Sequence, residues 1–103
     1  MAQIIRGTTP TIEFTFKVVD VTSINTAVMT IKQGGQIVVE KDKSTATIGD
    51  DSLSWTLSQE DSLSLGCGLV RVMLNWVLAD GTRGASDNNG VEMLPNHKNE
   101  VIA

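Results

Sequence analysis

In residues 11–18, TIEFTFKV, the apolar Ile12, Phe14, Phe16 and Val18 fall at every second position, with Thr11, Glu13, Thr15 and Lys17 between them. Successive side chains of a strand point to opposite faces, so this period predicts a half-buried antiparallel strand and not an amphipathic helix. The same period recurs in residues 52–57, where Leu53, Trp55 and Leu57 alternate with Ser52, Ser54 and Thr56. It is longest in residues 69–78, where Val70, Val72, Leu74 and Trp76 share a face. A shorter apolar stretch, residues 91–94, precedes Pro95. Trp55 and Trp76 lie on the apolar side of their strands, which places both in the core.

The connections are as informative as the strands. Residues 23–42, SINTAVMTIKQGGQIVVEKD, read as a hairpin, and parity constrains its loop because residues directly opposite share a face. A two-residue Gly34-Gly35 loop sets Met29 against Glu40 and buries a charge. A three-residue loop, Gln33-Gly34-Gly35, sets Ile31 against Ile37 and Met29 against Val39, with Gly35 in the left-handed position, and is the preferred expectation. Asp80-Gly81 is a two-residue hairpin signal leading into residues 82–85. Between two strands, SQEDSLSLG interrupts the alternation. Ser58 followed by Asp61 fits a capping box, Glu60 and Asp61 suit the positive end of a helix dipole, and Gly66 is placed to stop the turn. One helical turn crossing from sheet to sheet explains these acids better than a catalytic pair, which needs two carboxyls facing each other across a substrate.

Roughly six or seven short strands with one helical interruption predict an all-β fold: a small antiparallel β-sandwich, Ig-like or jelly-roll-like, with one short helical turn. The 103 residues are expected to form a single domain, residues 1–103, able to bury about two-thirds of the surface of the unfolded chain.

Charge and cysteine content narrow the function. A net charge of −4, with eight scattered Lys and Arg and no Tyr, argues against a nucleic-acid partner. Cys67 is the one cysteine, so no intrachain disulfide forms and folding in a reducing cytoplasm is expected. No long apolar h-region opens the chain and no run approaches the ~20 residues of a membrane helix, so neither the secretory route nor a membrane partner is expected.

The residues suggest no enzyme, no cofactor and no metal. His97 lies in the polar PNHKNE segment without a second His or Cys to complete a zinc set. Cys67 sits between two glycines without an evident base. SDNNG, residues 86–90, lacks the alternating acids and distal glutamate of a calcium loop. One surface stands out. The second face of residues 69–78 carries Leu69, Met73 and Val77 interrupted by Arg71 and Asn75, too apolar for a solvated face, so these five residues are either an outer face covered by a loop or the N-terminal segment or the candidate protein interface.

RGTTPTIEFTF near the start, LSQEDSLSLG leading into VRVMLNW, the DGTRG turn and the closing NEVI together resemble small proteins encoded among the tail genes of prophages in gut Firmicutes. The likeness spans almost the whole chain, although the long C-terminal extension of upper baseplate proteins is missing. Members look like β-sandwich virion components similar to the N-terminal domain of those baseplate proteins, with no catalytic residues to carry over. The resemblance implies a non-enzymatic structural protein of the phage tail or baseplate, acting through contacts with other tail proteins or with further copies of itself. It implies the virion as location, and the bacterial host cytoplasm before assembly. The competing expectation is a small carbohydrate-binding module, which requires Trp55 or Trp76 on the surface as a stacking platform.

Overall fold

The computed structural model describes residues 2–86 and 90–102. Its elements are the strands β1 (Ala2–Ile5), β2 (Thr11–Thr15), β3 (Ile24–Gln33), β4 (Gln36–Asp42), β5 (Thr47–Ile48), β6 (Ser52–Thr56), β7 (Gly68–Leu78), β8 (Arg83–Ser86) and β9 (Gly90–Leu94), with the helix α1 (Gln59–Leu63) between β6 and β7. They make two sheets. The larger runs β1-β9-β7-β3-β4, with β8 also paired to β7, and the smaller runs β2-β6-β5. Phe14, Leu53 and Trp55 of the small sheet pack in one core with Met29, Ile31, Val39, Val70, Val72, Leu74 and Met93 of the large one. The shortest dimension, 20 Å, suits two layers about 10 Å apart. The chain is a small all-β sandwich.

Its spine is β7. One edge pairs with β3 from Ile24↔Leu78 to Lys32↔Arg71. The other carries β8 and then β9 in tandem, from Val77↔Arg83 down to Gly68↔Met93. The strand pairs are antiparallel except at one edge, where β1 runs parallel to β9 with Ala2↔Val91 and Ile5↔Leu94. A parallel pair needs a long crossover, and here the rest of the domain supplies it. The expected wholly antiparallel arrangement is corrected at this edge.

Both hairpin loops differ from expectation, in opposite directions. Gln33 pairs with Gln36, so the first loop is the two residues Gly34 and Gly35, with φ of +62° and +83°, as a type I′ turn demands. The ladder then shifts register between Ile31 and Lys32, setting Ile31 opposite Val39 and Met29 opposite Lys41. The extra residue restores the parity that the short loop breaks, so Val39 stays buried and Glu40 stays out. Parity fixes a loop length only where the ladder is unbroken. In the second hairpin the Gly81 N–H donates to the Leu78 carbonyl at 2.9 Å and the Leu78 N–H to the Thr82 carbonyl at 2.8 Å. That loop therefore contains Ala79, Asp80 and Gly81, and the Asp80 carboxylate accepts the Thr82 N–H at 2.8 Å.

The longer second loop sets the environment of Trp76. It brings Gly84 opposite Trp76 on one side, while Ala27 stands opposite on the other. A Cβ on Gly84 would lie 2.6 Å from Trp76 Cε2 and Cζ2, so the indole occupies space that only glycine leaves. Phe16 meets the ring edge-on at 5.2 Å. Trp76 is half-buried at the border of the core, whereas Trp55 is only 2% exposed. Residues 11–18 are also shorter as a strand than their alternation suggests. β2 ends at Thr15, a bend follows, and Val18 is 97% exposed.

The helical link holds as expected, joining β6 of the small sheet to β7 of the large one. Two single 3₁₀ turns join it, Val21–Ser23 and Lys43–Thr45, where the Asp20 and Asp42 carboxylates accept the N–H groups of Thr22 and Ser44.

Candidate functional site

The acidic pair at the turn proves to be a cap. Ser58 Oγ accepts the Asp61 N–H at 3.1 Å, and Asp61 Oδ2 accepts the Ser58 N–H at 3.1 Å. Lys41 leaves the inner side of β4 and reaches Asp61 Oδ2 at 3.0 Å, its stem covering apolar surface while its ammonium pairs across the layers. Partial burial pushes the Asp61 carboxyl upward, but the Ser58 N–H, the Lys41 ammonium and the Ser58 hydroxyl together hold it below the usual aspartate value. A carboxyl depressed by folding stabilises the fold above its unfolded pKa, and that contribution disappears as pH falls through the lower folded value. Ser58→Ala is expected to lower stability by about 0.5 to 2 kcal/mol without affecting partner binding. Asp61→Asn is expected to lower stability at neutral pH and to make no difference in acid. Denaturant melts at several pH values check both, and an unchanged midpoint at neutral pH would refute the cap.

The helix ends at Leu63 with Ser64 as its cap, ahead of Gly66, the residue expected to stop it. The Gly66 N–H donates to Gln33 Oε1 and its carbonyl accepts from Gln33 Nε2, each at 2.7 Å, so a side-chain amide from β3 grips the exit of the link. The same end is also gripped from the N-terminal segment. Arg6 donates to the carbonyls of Leu65 (Nε, 2.6 Å) and Leu63 (Nη2, 2.8 Å) and to Asn99 Oδ1 (Nη1, 3.1 Å). The buried Ser62 hydroxyl donates to the Thr8 carbonyl at 2.8 Å, and the Gln59 amide pairs with both backbone groups of Ile102. The opening RGTT, the SQEDSLSL link and the closing NEVI thus meet around α1. Their side chains pair chiefly with backbone groups of one another's segments.

The outer face of the large sheet is different. Leu69, Arg71, Met73, Asn75 and Val77 share one face of β7, as expected, with Leu69 45% and Met73 39% exposed. The pairing with β3 adds what single-strand periodicity cannot reveal: Thr26 stands beside Val77, Val28 beside Asn75, Thr30 beside Met73 and Lys32 beside Arg71. Arg83 folds over one end, donating to Asn75 Oδ1 at 3.1 Å, and a depression of about 330 Å³ lies between it, Val28 and Val77. At the other end the two cations stand side by side, and neither forms an ion pair among the described residues. Like charges directly opposite on a sheet repel. The face thus combines an apolar row with a pair of cations at one end, where Glu92 stands beside Leu69 and Glu40 beside Thr30 on the same face.

The other candidates remain apart. His97 and Cys67 are exposed and lie in separate segments, and residues 87–89 of the SDNNG segment lie outside the described residues. Among the described residues no three of His, Cys, Asp and Glu gather as metal ligands, and no helix is long and apolar enough to cross a membrane. In comparison with known proteins, no family model and no curated sequence matches the chain.

Proposed function

We propose that this chain is a non-enzymatic structural protein of a bacteriophage virion, placed in the tail or baseplate region and acting by docking other tail proteins on the outer face of its large sheet. The observation that carries the reading is that face. Leu69, Met73 and Val77 extend over about 27 Å of β7 at ~3.3 Å per residue, flanked by Val28, and exposed apolar surface of this kind is characteristic of protein interfaces. The sequence resemblance supplies the setting, including the host cytoplasm as the site of synthesis before assembly. The partner suited to Lys32 and Arg71 presents an acidic group there. A sugar-binding module has less support: Trp55 is buried, and the half-buried Trp76 ring is packed on Gly84 with Phe16 against it.

Mass spectrometry of purified particles from an induced culture tests the assignment. Peptides of this chain are expected in the particles at a constant ratio to the tail proteins. Their presence in the lysate but absence from intact particles would refute the virion reading.

A further inference from the structure

The second unpartnered feature lies on the small sheet and is independent of the docking face. In β2 the register Ile12↔Trp55 and Phe14↔Leu53 is bracketed by bonds from the Leu57 N–H to the Pro10 carbonyl (2.8 Å) and from the Phe16 N–H to the Asp51 carbonyl (2.7 Å). Bonded and non-bonded pairs alternate along an antiparallel ladder, so the even-numbered residues of β2 bond to β6. The backbone groups of Thr11, Glu13 and Thr15 therefore point away from it. β2 is an outer strand of its sheet, and beside it runs an open groove of about 500 Å³, bounded by Glu13, Thr15, Phe16 and Lys17 and, across from them, Trp76 and Ser86. Among the described residues no strand pairs with this edge, and an unpaired edge is a template for another strand.

We propose that the strand is β2 of a second copy, paired antiparallel about a two-fold axis through Thr15. Charge selects this register. With the axis at Glu13 the two copies bring Glu13 against Glu13, which repels. With the axis at Phe14, Glu13 faces threonine and Lys17 is left opposite Thr11. Only the axis at Thr15 sets Glu13 opposite the partner's Lys17, twice by symmetry, with the outward-pointing backbone groups of the two Thr15 residues meeting as a bonded pair on the axis. Glu13, Thr15 and Lys17 are all exposed. Lys17 stands in a bend two residues past Thr15, the last ladder residue, and its four-carbon stem spans the remaining distance. The same register places Phe16 beside the partner's Phe14 on the core side, covering the half of Phe16 that the single chain leaves open. The interface is isologous and closes on itself, joining two three-stranded sheets into one. It makes the repeating unit of the protein a two-fold dimer whose two docking faces are both left free.

Light scattering across a concentration series is expected to show a monomer–dimer equilibrium. Glu13→Lys and Lys17→Glu are each expected to raise the dissociation constant about tenfold, from two opposed pairs turning repulsive, and the double variant to restore it. In a Cys67→Ser background, Thr15→Cys is expected to form a disulfide-linked dimer under mild oxidation, since bonded cross-strand residues have Cα atoms ~5.5 Å apart, within disulfide reach. Thr11→Cys is expected not to link. A monomer at every concentration, a charge-reversed pair that does not recover, or equal linking at residues 11 and 15 would overturn the proposal.

Discussion

Trp55→Ala is expected to lower the unfolding free energy by about 3 to 5 kcal/mol, the range for deleting a buried tryptophan. The residue is 2% exposed, Phe14 meets its ring edge-on with centroids 6.0 Å apart, and its indole N–H donates to the Asp42 carbonyl at 2.9 Å. Truncation removes all three at once: the apolar burial, the aromatic contact and the partner of a carbonyl at the end of β4. The position joins the two sheets, since Trp55 belongs to β6 of the small sheet and Asp42 ends β4 of the large one. Trp55→Phe is expected to recover part of the loss, keeping the ring but not the bond. Urea unfolding followed by circular dichroism measures the difference, and a cost below about 1 kcal/mol would mean that Trp55 does not occupy the core.

That Trp55 lies inside was legible from alternation alone, because the side-chain period of a strand is local and strict. The same is true of Val70, Val72 and Leu74, and of the Ser58-Asp61 box, whose partners are three residues apart. What was not legible depends on pairing across the sequence. Val39 is inside as expected, but the two-residue loop and the compensating register shift near Ile31, which set Val39 opposite Ile31 and not Met29, could not be read from the loop residues. The three-residue turn at Ala79-Asp80-Gly81 is fixed by where Gly84 must stand to admit the Trp76 indole. Alternation past Thr15 was misleading because the chain bends after Phe16, which turns Val18 out to solvent. β1 went unrecognised, since its partner β9 lies at the other end of the chain. The meeting of Arg6, α1 and Ile102 is equally non-local.

The candidate face was half legible. Leu69, Met73 and Val77 could be read from β7, but Val28 and Lys32 join them only through the β3 pairing. Lys32 has no distinguishing feature in sequence. Beside Arg71 it becomes part of the cation pair at the end of that face.

Met73 is central to that face, flanked by Thr30 across the strand pair and by Arg71 and Asn75 along β7, and 39% exposed. Met73→Asp is therefore expected to fold with an unfolding midpoint close to that of the wild type, because its carboxylate stays hydrated in the free chain. In a complex the same carboxylate is desolvated in an apolar contact, which costs about 3 kcal/mol or more and weakens binding by over about 100-fold. The direct measurement is binding of the purified wild-type chain and of Met73→Asp to the purified tail proteins of the same phage by analytical ultracentrifugation, with Glu13→Lys as a variant altered on the other surface. The account predicts that the wild type and Glu13→Lys co-sediment with a tail protein while folded Met73→Asp does not. Wild-type and Met73→Asp chains that bind equally well, or that both bind nothing, would contradict it.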